Sequence, residues 1–253
     1  MIALAVSADT SWTAATYAGL GLAALLVGFV KTGLPPLGVL IPVVMALTFP
    51  TRESVGALVL FLVVGDAMAV AYYWRNADWS ELTRLIPPVA GGMILGALIL
   101  GVLDDRLLRV VIGALVLGLV LLELIRLRCR LDLASDRPAF RVGVGAAAGL
   151  ATTLANAAGP IMGVYFLSSG LGKARFMGTT AVFFLVVNAS KIPVYAALEM
   201  IRAPYLQAFA ALSPLVIVGA WIGRRFLAWI PQRVFHFAVL ALTATASALL
   251  LTF

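Results

Sequence analysis

Apolar runs separated by short polar stretches recur along the whole chain, near residues 12–30, 37–49, 54–74, 84–103, 107–125, 141–155, 160–170, 176–198, 204–223 and 233–252. Stretches such as SVGALVLFLVVG (54–65) and VVIGALVLGLVLL (110–122) lack the alternation that a transmembrane barrel requires, so they predict helices. A helix needs about 20 apolar residues to cross a bilayer core. The segments at 37–49, 141–155 and 160–170 fall short of that. They sit beside breaks rich in glycine and proline, KTGLPPLG (31–38) in one half and NAAGP (156–160) in the other. Short, interrupted segments at corresponding places in two halves predict half-helices or re-entrant hairpins around a binding site.

Composition narrows the class. Apolar residues make up 63% and charged residues 11%, against roughly 45–50% and about 25% in soluble domains. An all-α polytopic membrane protein is the class that fits. The net charge of +7 does not point to nucleic acid, because most arginines lie in short loops between apolar runs. Cys129 is the one cysteine, which excludes an intramolecular disulfide, and His236 has no second ligand near it in sequence. Neither a metal nor another cofactor is expected. The first eleven residues carry no Lys or Arg, so the basic region of a cleavable signal peptide is missing.

The most polar connection, RLRCRLDLASDRPAFR (126–141), divides the segments into five and five. A shift of 123 positions places Phe61-Leu62-Val63-Val64 on Phe184-Leu185-Val186-Val187, Tyr72 on Tyr195, Gly96 on Gly219 and Arg52 on Arg175. The matching order of short and long segments makes a duplication credible. An odd number of segments per half inserts the second copy upside down, giving two inverted repeats of about five segments each. The expected organisation is a first repeat at 1–128, a cytoplasmic linker at 129–140 and a second repeat at 141–253. With that linker inside, twelve Lys and Arg fall in cytoplasmic loops and four outside. The bias places both termini outside.

Lys191 lies in the apolar stretch FLVVNASKIPVY (184–195). A lysine at the centre of a membrane helix costs roughly 2.5–3.5 kcal/mol on insertion scales, so it should face a cavity or a partner. Phe184, Asn188, Lys191 and Tyr195 follow the spacing of one helical face, with Pro193 able to bend the helix beside them. Asp66, in the first-half copy of this helix, is the candidate partner of Lys191 and a candidate coupling group. Lys31, at the first break with Gly33, either snorkels to the interface or joins the site. Asn156 as an N-cap would start a half-helix at Pro160, exposing unpaired N–H groups to an anion. Thr152 and Thr153 either donate hydroxyls there or bond their own helix. Tyr72 and Tyr195 either line the site or pack. Trp74, Trp79 and Tyr73 suggest an interfacial belt, and Gly91, Gly92 and Gly96 close helix packing.

GFVKTGLPPLGVLIPVV near the start, and ATTLANAAGPIMGVYFLSSGLGKARFMGTTAVFFLVVNASKIPVY in the second half, resemble the sulfite exporter TauE/SafE family. The similarity covers essentially the whole chain and is strongest from 151 to 195. It implies a transporter of sulfite, organosulfonates or related small anions, usually an exporter. It carries Lys31, Thr153, Asn156, Gly159, Pro160, Asn188, Lys191 and Asp66 over as site residues. One departure is Lys31-Thr32-Gly33-Leu34-Pro35-Pro36 where many members have a Gly-Gly-Gly cluster.

The resulting expectation is a secondary transporter of a small oxyanion in a bacterial inner membrane. Its partners would be a small inorganic or organosulfur anion and the bilayer, with homodimerisation an open option and no nucleic acid. Proton coupling through Asp66 is one version of it. An anion channel is the alternative. An integral membrane enzyme is disfavoured, because no set of converging ligands or nucleophile with its base stands out. No phosphate-binding P-loop is present to power transport by ATP.

Overall fold

The computed structural model describes residues 13–39, 51–102, 138–201 and 203–235, with isolated positions at 41, 45, 104, 107, 237, 238 and 241. The predicted segment at 107–125, and most of those at 37–49 and 233–252, lie outside the described residues. All regular structure among the described residues is helical. The helices are α1 (Ala14–Thr32), α2 (Thr51–Tyr73), α3 (Trp79–Val102), α4 (Pro138–Ala155), α5 (Gly159–Ser168), α6 (Lys173–Ala197) and α7 (Ala203–Trp229). A 3₁₀ turn at Pro35–Val39 follows α1 directly.

Local chemistry sets many of the ends. Thr13 caps α1, accepting the Thr16 N–H through its hydroxyl at 3.3 Å. Asp78 does the same before α3, accepting the Glu81 N–H at 3.1 Å. Asp104 accepts the Leu107 N–H at 2.7 Å in the same way. Among the described residues, four helices are long and apolar enough to cross a membrane: Val55–Asn76, Trp79–Val102, Lys173–Ala197 and Leu206–Trp229. By contrast α5, with 10 residues, rises only about 15 Å, half of a ~30 Å hydrocarbon core. Helix α4 begins at Pro138, three residues before the predicted segment, and reaches 18 residues.

α1 lies along α7, α3 along α4, and α2 against α6. Glycines make the first two pairings close. A Cβ at Gly28 would meet the Val216 carbonyl oxygen at 1.9 Å, and one at Gly219 the Leu25 oxygen at 2.1 Å. In the other pair, Gly92 would meet the Ala146 oxygen at 2.0 Å and Gly149 the Val89 oxygen at 2.1 Å. Backbone therefore packs on backbone, as in small-residue membrane interfaces. Gly96 is also close to its neighbour, facing Thr153, but Gly91 has open space around it and takes no part.

The two breaks come together, the 3₁₀ turn packing against both α1 and α5. A helix as short as α5 has little stability of its own. Aromatic packing holds it: Phe166 meets Phe176 and Phe183 edge-on, with ring centres 6.3 and 5.9 Å away. Trp74 and Trp79 are exposed, in keeping with a belt, whereas the Tyr73 hydroxyl turns inward and donates to the Thr32 carbonyl at 2.9 Å.

Candidate functional site

Lys31, Asp66 and Lys191 lie where α1, α2, α4 and α6 meet. Lys31 lies in the last turn of α1, where a cation complements the helix dipole. Its Nζ stands 2.7 Å from Asp66 Oδ1 on α2, and 4.2 Å from the centre of the Phe184 ring on α6. The Lys31 side chain keeps 11% exposure and that of Asp66 none. Gly65 makes room for the pair, since a Cβ there would lie 3.1 Å from Lys31 Cγ and 2.9 Å from Val27 Cγ1.

Asn188 of α6 completes this half. Its Nδ2 donates to Asp66 Oδ2 at 2.6 Å, while its own Oδ1 is buried without a hydrogen-bond partner. One turn further, Lys191 is fully buried and makes three hydrogen bonds to α4 and its end. Its Nζ donates to the Thr152 carbonyl at 3.1 Å, to Thr152 Oγ1 at 3.0 Å and to Asn156 Oδ1 at 2.6 Å. An ammonium has three N–H groups, so all of them are occupied. Tyr195, also buried, donates to the Thr153 carbonyl at 2.7 Å.

A reciprocity emerges. In the first half a lysine on the first helix reaches a carboxylate on the second. In the second half Lys191, on the long helix α6, reaches oxygens on α4 and its end. Each lysine thus ties the breaking helix to its long neighbour, from opposite sides.

Several expectations change. Asp66 pairs with Lys31 rather than with Lys191, because Lys191 points along α6 into the oxygens at the end of α4. Lys31 does not snorkel; it turns into the bundle. Asn156 does not cap α5, whose N-cap position is Ala158 without a side-chain acceptor. Instead Asn156 ends α4 in a left-handed conformation, φ 53°, which asparagine tolerates better than most residues. Its amide is drawn away to Lys191 and to the Val55 carbonyl, which Nδ2 reaches at 3.1 Å.

Other predicted residues are near but differently employed. Thr153 donates to Gly149 of its own helix at 2.9 Å. Gly159 lies beside the other break, a Cβ there coming within 3.9 Å of the Pro35 carbonyl. Gly33 serves packing, as a Cβ would come within 3.1 Å of Gly223 Cα. Tyr72 lies under the Arg224 guanidinium at 4.3 Å, apart from the lysines' partners.

A second polar cluster had no sequence signal, because its members are 24 to 84 residues apart. Tyr165 of α5 donates to Glu81 Oε1 of α3 and accepts from Arg141 Nε of α4 at 3.3 Å. Arg141 Nε also stands 3.8 Å from Glu81. A groove of about 630 Å³ between α3 and α6 passes Lys191, but apart from Lys191 only Thr153 and Ser190 on its walls are polar. Such walls give an anion few hydrogen-bond donors. The charged cluster between the breaks is therefore the candidate site.

No curated protein and no solved structure matches the chain. A family model described as sulfite exporter TauE/SafE matches residues 15–250. With that match over nearly its full length, and with its apolar helices, the chain is an integral, multi-pass membrane protein belonging to the sulfite exporter TauE/SafE family of transporters.

Proposed function

We propose that the protein is a secondary transporter that exports a small oxyanion such as sulfite or an organosulfonate. One observation carries the reading: the buried cluster holds two lysines against one carboxylate, Lys31 and Lys191 against Asp66. A surplus cation inside a membrane bundle is costly, and an anion of matching charge relieves that cost. The start of α5, which no side chain caps, leaves first-turn backbone N–H groups without a side-chain partner beside the second break.

Inverted repeats at 1–128 and 141–253 explain the packing. Exchanging α1 with α4 and α3 with α7 turns the pairing α1–α7 into α4–α3, and leaves α2–α6 as its own image. In this reading the linker at 129–140 is cytoplasmic, both termini face outward across the inner membrane, and relative movement of the repeats exposes the site alternately. Asp66 is the coupling group. Asn156, Asn188, Thr153, Gly159, Gly33 and Tyr195 shape the site around the two lysines.

The test is sulfite counterflow in proteoliposomes. The unmodified protein should accumulate labelled sulfite against unlabelled sulfite in saturable fashion, and Lys31→Met should reduce this to background while eluting as a folded protein. Unchanged flux in Lys31→Met would remove the cluster from transport.

A further inference from the structure

Counting donors separates the two lysines. Lys191 has each N–H on an oxygen of α4 or its end, so it holds the shape of the second break and has nothing left for a ligand. Lys31 has one carboxylate oxygen at 2.7 Å and an aromatic face at 4.2 Å, and it alone of the two has an exposed edge. An arriving anion meets Lys31 beside Asp66.

Counting charge then constrains what can bind. Among the described residues, Lys31 from α1 and Lys191 from α6 are the charges that act on Asp66, and Asn188 from α6 is its neutral partner. The 3₁₀ turn brings no titratable group, and Arg224 of α7 stands over Tyr72 instead. With Asp66 ionised the empty cluster carries one positive charge. A monoanion neutralises it, whereas a dianion leaves one negative charge too many in a low-dielectric interior. Protonation of Asp66 removes that excess.

Asn188 is built for either state. Its amide N–H donates to the carboxylate as observed, and its unpartnered Oδ1 can accept from a protonated acid after the amide turns over.

Resting on the anion-transport reading above, we propose that the site always takes up a net charge of minus one: a monoanion binds alone, and a dianion binds with one proton on Asp66. The proton comes from water on the side that the site faces. It joins a carboxylate oxygen of Asp66 and is released with the anion on the other side. No covalent bond to the anion forms.

The experiment is calorimetric titration of the purified protein in two buffers of different ionisation enthalpy. Sulfate serves as the dianion and methanesulfonate as the monoanion. About one proton should be taken up per sulfate and about none per methanesulfonate. Above the range in which Asp66 loses its proton, sulfate affinity should fall about tenfold per pH unit while methanesulfonate affinity holds. Asp66→Asn should abolish the proton uptake. Equal uptake with both anions, or uptake persisting in Asp66→Asn, would overturn the inference and leave the anion site standing. Binding of neither anion would overturn the transport reading itself, and the inference with it.

Discussion

Lys31 and Asp66 stabilise one another because each is costly alone. Removing one partner of a buried ion pair destabilises by about 3–5 kcal/mol, whereas replacing both with apolar residues of similar size is often neutral. Asp66→Leu should therefore lower the unfolding midpoint of the detergent-solubilised protein strongly. Lys31→Met combined with Asp66→Leu should recover most of that loss without recovering transport. A double variant no more stable than Asp66→Leu would show that the pair is not what the bundle feels. At this scale the sequence was informative about which residues matter and silent about which meet. A charge inside an apolar run is visible in one dimension, so Lys191 and Asp66 stand out. Their partners depend on how helices far apart in sequence are rotated, and Lys31 therefore read equally well as an interfacial lysine.

Among the elements, the breaks were legible and their chemistry was not. Gly and Pro mark them locally, but Asn156 satisfies two tertiary partners instead of the neighbouring helix start, so capping preference alone misassigned it. The Tyr165–Glu81–Arg141 cluster likewise depends on α5 folding back against α3 and α4. Glycine spacing suggested close packing for Gly92 and Gly96, yet nothing local separates them from Gly91, which faces open space. Helix approach at Gly219 makes a sharp prediction. A methyl there would press on the Leu25 carbonyl oxygen at 2.1 Å, and overpacking of this kind costs about 1–3 kcal/mol. Gly219→Ala should lower the thermal midpoint, and Gly92→Ala should do so by a similar amount against the Ala146 carbonyl oxygen, 2.0 Å from a Cβ there. Gly91→Ala should leave it unchanged.

For the whole molecule, hydropathy and the positive-inside bias made the membrane class plain, and the order of segments suggested the duplication. What they did not convey is that the two lysines take complementary roles, one on a breaking helix and one on a long helix. Among the described residues, the cluster sets two lysines against one carboxylate, Asp66. The surplus has an electrical consequence. On the proposed charge balance, a loaded site is neutral and crosses the membrane without sensing voltage, while the empty site carries one positive charge on its return. Moving one charge through the full field is worth at most about 2.3 kcal/mol per 100 mV. In a membrane negative on the inside, that energy pulls the empty site toward the cytoplasm, where the proposed export cycle loads it, and favours release outside. Counterflow should therefore be indifferent to an imposed potassium diffusion potential. Net efflux into anion-free medium should accelerate as the interior is made more negative, and a voltage-independent net efflux would show that the returning carrier bears no charge.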